Sequence, residues 1–220
     1  MILYTQKNSS GVTLITYKER EIGAHYSDRL QSYDECKIVR IMRGRGVWLI
    51  NGGRFPFEKD DIFLFSFCDV RRLEETAGEI KIEQVNFIPL TIHPHGHCAD
   101  IFFLRTKDFS NKINNKTGSS ELCVCFDKLR GYAENKELLY RDDCIQNLIC
   151  KMVITAAQCY PVAFDRANGD TSICAAAMKY ISQNLSNRLS LYDTARKFGF
   201  SAGHFPDCFK SLSAFLIMST

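Results

Sequence analysis

GVWLINGGRFPF, at residues 46–57, contains the strongest local structural signal in this sequence. Its two halves are short and rich in β-branched and aromatic residues, which are typical of β-strands. Between them, Asn51, Gly52 and Gly53 are residue types that tolerate the positive φ angles of a tight reversal. The segment therefore predicts a β-hairpin.

Six short segments of this strand-like kind lie within about residues 10–105, and residues that favour turns separate them. They are Val12–Tyr17, Lys37–Met42, Gly46–Ile50, Arg54–Phe57, Ile62–Phe67 and Ile80–Phe87. Several short strands at this spacing are typical of a β-sandwich or a small barrel. We therefore expect the first half of the chain to form a β-domain.

The second half of the chain has a different pattern. Residues 107–136 are polar, with clusters of Asn, Lys and Ser that indicate a loop or a marginal helix. Residues 137–160 carry apolar residues at spacings of three and four, which predict a helix with one apolar stripe. The stripe comprises Ile145, Leu148, Ile149, Met152, Val153 and Ala156. It packs either on its own β-domain or on a second copy in a dimer, and periodicity does not separate the two.

The composition limits the classes of protein to consider. The 220 residues are 45% hydrophobic and 24% charged, the ordinary balance of a globular protein. The 28 basic and 25 acidic residues leave a net charge of +3. This excess is too small to make the whole chain a nucleic-acid binder, so DNA contact would need a local basic patch.

The 10 cysteines are scattered along the chain without the paired CxxC spacing of a zinc site. The N-terminus lacks the basic and then apolar pattern of a signal peptide. No apolar run approaches the roughly 18 residues of a transmembrane helix. We therefore expect reduced thiols in a cytoplasmic protein that does not span a membrane.

The C-terminal segment has the pattern of a helix-turn-helix. A break at Pro161, followed by the polar stretch Asp165–Asp170, indicates a linker before it. Ser190, followed three residues later by Asp193, is similar to a helix capping box. Gly199 can take the left-handed conformation that ends this helix, and Ser201 can cap the next one. Two helices joined by a short turn with glycine form the helix-turn-helix plan.

This segment resembles the first helix-turn-helix of AraC/XylS-type transcription regulators. The matching residues are Leu189, Ser190, Leu191, Ala195, Gly199, Ser201, Phe205, Phe209 and Lys210. Together with the helix that precedes them, they cover roughly residues 173–212. Upstream, the Gly44-x-Gly46 pair, the hairpin and Asp61-Ile62 resemble the cupin-like sensor domain of the same family.

The resemblance implies an α+β fold, with an N-terminal cupin-like β-barrel or sandwich, then helices, then a partial helix-turn-helix domain. The expected regions are a ligand-sensing domain at 1–106, a helical dimerisation or connector region at 107–164, and a DNA-binding domain at 165–220. The implied function is a small-molecule-responsive transcription regulator that forms a homodimer. Family members continue with a connecting helix and a second helix-turn-helix. We therefore expect this chain to be truncated and to bind DNA weakly.

The resemblance also implies which residues contact DNA. The helix that begins at Ser201 would enter the major groove. The expected DNA-contacting residues are Ser201, Ala202, Gly203, His204 and Asp207 at the groove, with Lys197 and Lys210 at phosphates. Pro206 lies within this helix, where proline costs about 3 kcal/mol in an interior position. Phosphates repel the carboxylate of Asp207, so both residues predict weak DNA binding.

Metal-binding members of the cupin fold place two histidines and a carboxylate before the first glycine pair, and a further histidine later. Counted back from Gly44, these places hold Gln31, Tyr33 and Lys37. The later stretch, residues 70–72, is Val-Arg-Arg. These residues do not form a metal ligand set. We therefore expect no cofactor and no enzymatic activity.

One histidine cluster, His93, His95 and His97, leaves two interpretations open. Alternation along the chain could direct all three imidazoles to one side, where they would bind zinc or nickel. The stretch could equally be a surface loop, kinked by Pro94 and Gly96.

A pocket in the β-domain would bind a small organic effector such as a sugar. Trp48 and Tyr33 could stack on a sugar face, and Arg40 and Arg72 could bind hydroxyl or acid groups. Ordinary packing or surface charge explains each of these four residues equally well. The alternative to a regulator is a non-DNA-binding sensor or dimerisation module that titrates a full-length relative into inactive heterodimers.

Overall fold

The computed structural model describes residues 1–9, 11, 13–23, 36–66, 69–87, 101–102, 109–114, 116–160 and 190, except for the side chain of Glu75. These residues contain eight strands and two α-helices. They are β1 (Ile2–Lys7), β2 (Thr13–Ile22), β3 (Cys36–Arg43), β4 (Gly46–Ile50), β5 (Gly53–Phe57), β6 (Ile62–Phe65), β7 (Arg71–Thr76), β8 (Ile80–Phe87), α1 (Lys116–Glu134) and α2 (Arg141–Gln158).

The strands form two antiparallel sheets within the described ranges. The larger one, called the first sheet, has the strand order β1-β2-β8-β3-β6. The smaller one, called the second sheet, has the order β5-β4-β7. Two sheets followed by two helices give the described part of the chain an α+β architecture, as the sequence predicts.

The predicted hairpin is confirmed, because β4 pairs with β5 across the expected turn. Asn51 and Gly52 have φ angles of 50° and 86°, in the left-handed region that the turn requires. The Asn51 side chain accepts a hydrogen bond from Val70 N at 2.9 Å and donates one to Asp69 Oδ1 at 2.8 Å. The turn is therefore fixed against the segment that enters β7.

The first sheet is covered on both faces. On β3, Ile38 belongs to the core that this sheet forms with the helices, whereas the next residue, Val39, belongs to the core between the two sheets. Leu64 and Phe65 divide in the same way on β6. Successive side chains of a strand point to opposite faces, so both faces of these strands are apolar. The described part of the molecule therefore has three layers: the helices, the first sheet and the second sheet.

Helix α1 corrects the prediction of a loop or a marginal helix for this polar region. Its buried apolar residues recur at spacings of three and four, and they are Leu122, Cys125, Phe126, Leu129 and Ala133. These residues join the core beneath the first sheet, and burial of such a stripe stabilises a helix whose other face is polar. Because residues 110–121 are mostly polar, the sequence pattern did not reveal the apolar stripe that follows them.

Helix α2 carries the predicted apolar stripe, and the stripe is buried inside the chain. Ile145, Ile149 and Val153 have no exposed surface and belong to the core shared with α1 and the first sheet. The interpretation in which the stripe packs on its own β-domain is therefore confirmed, and a dimer would need another surface. Among the described residues, we find no helix with the length and hydropathy of a membrane span.

The sequence pattern did not predict β1 and β7. Strand β7 has one apolar residue that is fully buried, Leu73, between the charged Arg72 and Glu74. The second sheet contributes one face to the core between the sheets, so this strand needs few apolar residues. Strand β2 also extends five residues beyond Tyr17, because its charged end pairs with β8.

A short segment at residues 109–114 runs along β6, at the edge of the first sheet. Leu64 N donates a hydrogen bond to Asn111 O at 2.8 Å, and Ile113 N donates one to Ile62 O at 2.9 Å. The Asn111 amide also donates to Leu64 O at 2.8 Å. The segment therefore satisfies backbone groups that an edge strand leaves unpaired. This part of the expected connector region is built onto the β-domain.

Candidate functional site

A cavity lies between the two sheets. Its volume is about 390 Å³, including the part that is open to solvent. The described residues that line it are Arg20, Lys37, Val39, Trp48, Phe65, Arg71, Ile82 and Gln84. Three of them are cationic and none is acidic. We call this feature the cationic cavity.

The first sheet contributes polar side chains to the cationic cavity from positions that alternate with residues of the helix-side core. Lys37 on β3 is only 5% exposed, and its Cα lies opposite Asn86 on the neighbouring β8. Gln84, also on β8, is buried and donates a hydrogen bond to Asn86 Oδ1 at 2.6 Å. Buried polar side chains cost free energy unless partners satisfy them, so inward-facing positions are usually apolar. This row of polar residues is therefore a functional candidate.

Arg71 enters the cavity wall from β7, on the second sheet. Its guanidinium carbon lies 4.0 Å above the centre of the Phe65 ring, which is the geometry of a cation–π contact. The residue is 5% exposed. Phe65 is also the register partner of Lys37 in the first sheet. The two buried cations, Lys37 and Arg71, therefore both adjoin the same aromatic ring.

Trp48 supplies an aromatic wall to the cavity. Its ring meets Phe65 edge-on, with the ring centres 5.5 Å apart, and lies 6.2 Å from the centre of Phe57. Among the described residues, the buried Nε1 of Trp48 has no hydrogen-bond partner. An unpaired buried donor costs about 1–3 kcal/mol, so a ligand acceptor that reached this atom would be favoured.

The four predicted ligand-contacting residues have different environments. Trp48 lines the cationic cavity. Arg72 forms an ion pair with Glu74 at 3.3 Å and is 38% exposed, whereas its neighbour Arg71 lines the cavity. Arg40 lies on the other face of the first sheet, against α1. Tyr33 lies outside the described residues, so its role stays a prediction.

Sequence reasoning did not select the cations that line the cavity. In the sequence, Lys37 occupies a place where a metal site would need a carboxylate, but it also alternates in phase with Val39 and Ile41, which face the core between the sheets. Arg71 alternates in phase with the buried Leu73. A cation in phase with buried apolar residues is the signal that could have found them.

Arg40 belongs to an ion-pair network on the helix-side face of the first sheet. Its guanidinium contacts Asp60 Oδ1 at 3.0 Å, Glu83 Oε1 at 3.1 Å and Asp127 Oδ1 at 2.7 Å. It also donates a hydrogen bond to Cys123 O at 3.3 Å. One side chain therefore joins β3 to β8, to the residues before β6 and to α1.

Glu83 is the buried centre of this network. Its carboxylate has no exposed surface and also accepts hydrogen bonds from Tyr17 Oη at 2.6 Å and Arg130 Nη2 at 2.8 Å. Burial, and then the negative charge of Glu83, raise the pKa of Tyr17 above its ordinary value. The phenol therefore stays protonated at neutral pH and donates to the carboxylate. We call Tyr17, Arg40, Glu83 and Arg130 the helix-side network.

The cationic cavity and the helix-side network occupy opposite faces of the same strands. Gln84 follows Glu83 on β8, and Val39 precedes Arg40 on β3. A backbone shift of either strand at the cavity would therefore also move a residue that is bonded to α1.

The cationic cavity does not fit a metal ion. A metal ion requires anionic or neutral donors, and Lys37 and Arg71 carry positive charge. Within the described ranges, no group of three His, Cys, Asp or Glu side chains is placed to hold a metal. His93, His95 and His97 lie outside these ranges, and so do the predicted DNA-contacting residues from Lys197 to Lys210. The structure therefore tests neither prediction.

No family model matches this sequence, and no curated protein is significantly similar to it. Solved structures are similar at low identity. The AraC-like transcriptional activator CuxR is 15% identical, with 90% of this chain and 68% of that chain covered and a TM-score of 0.47. A predicted oxalate decarboxylase from Thermotoga maritima is 19% identical, with 33% and 65% covered and a TM-score of 0.31.

The cupin domain of Cnp3 from Schizosaccharomyces pombe is 10% identical, with 38% of this chain and 61% of that chain covered and a TM-score of 0.33. The chain therefore covers less than two thirds of the decarboxylase and of the Cnp3 domain. TM-scores this low show neither the family nor the function of this chain.

Proposed function

We propose that this chain is an AraC-type, small-molecule-responsive transcription regulator whose effector binds in the cationic cavity. The observation that carries the sensing role is the set of buried polar residues, Lys37, Arg71 and Gln84, around a cavity in a core that is otherwise apolar. The DNA-binding role rests on the helix-turn-helix pattern at residues 173–212. No catalytic residue and no resident cofactor are part of this proposal.

The proposed division of labour follows the regions of the chain. Residues 1–106 bind the effector, residues 107–164 pass the signal, and residues 165–220 contact DNA. The contacts would be made by Ser201, Ala202, Gly203, His204, Asp207, Lys197 and Lys210. DNA binding is weak because of Pro206 and Asp207. The protein acts as a homodimer through a surface other than the buried stripe of α2.

An effector can regulate only if it binds the DNA-competent and the incompetent state with different affinity. Strands β3 and β8 connect the cationic cavity to the helices, because each strand carries a cavity residue beside a residue of the helix-side network. We propose that the effector shifts these strands and thereby moves α1 through the Arg40–Asp127 ion pair of 2.7 Å.

Selection of DNA from a randomised duplex pool by the full chain tests the proposal. Fluorescence anisotropy of the selected duplexes is then measured over a range of salt concentrations. We expect a sequence preference with a dissociation constant of about 10⁻⁶ M or weaker at physiological salt. Replacement of Lys197 by Gln should reduce the salt slope by about one phosphate contact, and Arg45→Gln, in the loop before β4, is the control.

Two outcomes would change this proposal. Specific binding in the nanomolar range would contradict weakened DNA recognition. Absence of sequence preference at every salt concentration would reject the regulator. It would favour the alternative function, a sensor that acts through heterodimers with a full-length relative.

A further inference from the structure

We propose that the turn between α1 and α2 is the docking site of this chain's own basic C-terminal segment, residues 171–212. This inference rests on the proposed function in that DNA and the turn compete for the same segment. The docking surface consists of two apolar residues and four carboxylates, Leu139, Tyr140, Glu134, Glu137, Asp142 and Asp143. We call it the turn surface.

The turn surface carries the two most exposed large apolar side chains in the described part of the chain. Leu139 and Tyr140 are neighbours in the sequence, and each is 79% exposed. The exposed Ile2 lies at the same end of the molecule, because Tyr4 on its strand donates a hydrogen bond to Asp142 at 2.8 Å. Exposed apolar side chains that lie together are typical of interaction surfaces.

Tyr140 breaks two local preferences at once. Its φ angle is 53°, in the left-handed region that glycine and asparagine adopt more easily than tyrosine. It is also the N-cap residue of α2, and its side chain makes no capping hydrogen bond. Asparagine tolerates this angle and is a preferred N-cap residue. Because such departures from local preference are concentrated at functional sites, the ring of Tyr140 is a candidate for contact with another segment.

The charge of the turn surface favours a basic occupant. Its four carboxylates are exposed, and between residues 134 and 143, which the structure describes throughout, Lys136 is the one exposed cation. Arg141 is partly exposed and donates to the carbonyl oxygens of Tyr132 and Ala133 at the end of α1. A second copy of the turn surface would bring like charges together, so self-association through this surface is disfavoured.

The chain itself contains a segment of complementary charge. Residues 171–212 contain two acidic residues and five basic ones, which are Lys179, Arg188, Arg196, Lys197 and Lys210. The whole net charge of +3 therefore lies in this segment. The segment is also aromatic, with phenylalanine at positions 198, 200, 205 and 209. Basic and apolar groups together complement an apolar surface with an acidic rim.

The segment can reach the turn surface within one chain. Helix α2 has 18 residues, so its C-terminal end lies about 27 Å from the turn. Tyr160 follows this end and is held there, since its hydroxyl donates to Ser110 O at 2.6 Å. Residues 161–170 span roughly 33 Å when fully extended. This tether is therefore long enough for residues 171–212 to reach back along α2.

Photo-cross-linking of the full chain tests the contact directly. Tyr140 is replaced by p-benzoylphenylalanine, which keeps an aromatic ring at the turn, and mass spectrometry identifies the peptides joined within the monomer band. We expect cross-links to residues 171–212, and a lower yield in 1 M sodium chloride because salt screens the charges.

The control places the same probe at Lys59, an exposed residue between β5 and β6. This position adjoins the first turns of α1, since Ser119 donates to Asp60 O at 3.2 Å, and it lies at the end of the helices where the tether begins. A segment that only moved on its tether would cross-link there at least as well. Equal yields at the two positions, cross-links only between two copies, or none to residues 171–212 would overturn the inference.

Charge reversal measures the competition with DNA. Glu137→Lys makes the turn surface repel the segment, so we expect the full chain to bind the selected duplexes about two- to fivefold more tightly than the matched variant. The matched variant is Glu58→Lys, which makes the same change of charge on an exposed residue at the other end of the helices. Equal affinities of the two variants would contradict the competition.

Tyr140→Asn separates docking from a structural role of the ring. Since asparagine suits the backbone angle and the N-cap, the variant should keep or raise the melting temperature measured by circular dichroism, and should bind DNA more tightly. A lower melting temperature with unchanged DNA binding would assign the ring to the fold and overturn its role in docking.

The docking inference and the proposed regulator can fail separately, because cross-linking needs no DNA. If the cross-link forms but DNA is bound without sequence preference, the docking stands and the regulator fails. If DNA is bound with sequence preference but residues 171–212 do not cross-link to the turn, the regulator stands and the docking fails.

Discussion

The two faces of the first sheet contain polar residues of the same kinds in different arrangements. On the helix side, Arg40 and Arg130 meet the buried Glu83, and Tyr17 donates to the same carboxylate. On the cavity side, Lys37 and Gln84 line the cationic cavity. The polar groups of the first arrangement bond to one another and hold the helices to the sheet. The second borders a cavity, so burial alone does not tell whether a polar residue holds the fold together or lines a candidate site.

The largest effect that tests this comparison should come from Glu83. Replacement by alanine leaves Arg40 and Arg130 without their shared buried acceptor. We expect the free energy of unfolding to fall by about 3–5 kcal/mol, measured by urea denaturation with circular dichroism. The control is Glu79→Ala, which removes an exposed partner of Arg43 and should cost less than about 1 kcal/mol. A similar loss in both variants would mean that the helix-side network does not hold the layers together.

Tyr17→Phe should have a smaller effect. It removes only the hydroxyl that donates to Glu83 at 2.6 Å, and hydrogen bonds to charged groups contribute about 1.5–3 kcal/mol. The matched variant is Tyr4→Phe, because Tyr4 donates to the exposed Asp142 at 2.8 Å. Water can replace that contact, so its loss should be about 1 kcal/mol. The comparison fails if Tyr4→Phe proves the more destabilising in urea.

The pH dependence of stability gives a further test of the helix side. Burial raises the pKa of Tyr17 in the folded protein above its value of about 10 in the unfolded chain. The stability contributed by the protonated phenol is therefore fully present below about pH 10 and is lost as pH rises above it. Between pH 10 and 11, wild type should lose up to about 1.4 kcal/mol more than Tyr17→Phe. Burial also raises the pKa of Tyr4, but both proteins contain Tyr4, so its effect cancels. If wild type and Tyr17→Phe lost stability equally between pH 10 and 11, the raised pKa of Tyr17 would be contradicted.

The smallest effect on stability should come from the cavity side. Lys37→Met keeps the apolar stem and removes only the ammonium group, whereas Arg40 makes three ion pairs, so we expect the free energy of unfolding to fall less than in the matched Arg40 variant. The matched variant is Arg40→Met, on the same strand and the other face, which should cost several times more. Urea denaturation measures the free energy of unfolding of both variants. A larger loss for Lys37→Met would mean that Lys37 has a structural role.

Local patterns in the sequence predicted part of the fold. The hairpin was predictable because Asn51 and Gly52 have the turn chemistry that the observed φ angles require. The apolar stripe of α2 was predictable from the spacing of its residues. The surface on which it packs was not, because the same stripe could pack on a second copy in a dimer or on the β-domain. Strand β7 was not predictable, since its pairing with β4 depends on contacts distant in the sequence.

The candidate site was less predictable than the fold. The chemistry of Trp48 predicts a place in a pocket wall, and the residue lines the cavity. Arg20, Lys37 and Arg71 come from three different strands, and only the pairing of those strands brings them together. Arg40 has the same chemistry as Arg20 but faces the helices. Residue type therefore suggested candidates, while the register of the sheet decided which face each one occupies.

The alternation along β3 also constrains how this protein can evolve. Lys37, Val39 and Ile41 face one environment, while Ile38 and Arg40 face another, so substitutions at neighbouring codons have different consequences. Under the proposed function, substitutions at the first set can change the ligand preference while the second set stays intact. An insertion or deletion of one codon would exchange the two sets and bury the network residues in the wrong layer. Diversification of ligand preference in this lineage should therefore proceed by point substitution within the strands, with length changes restricted to the turns.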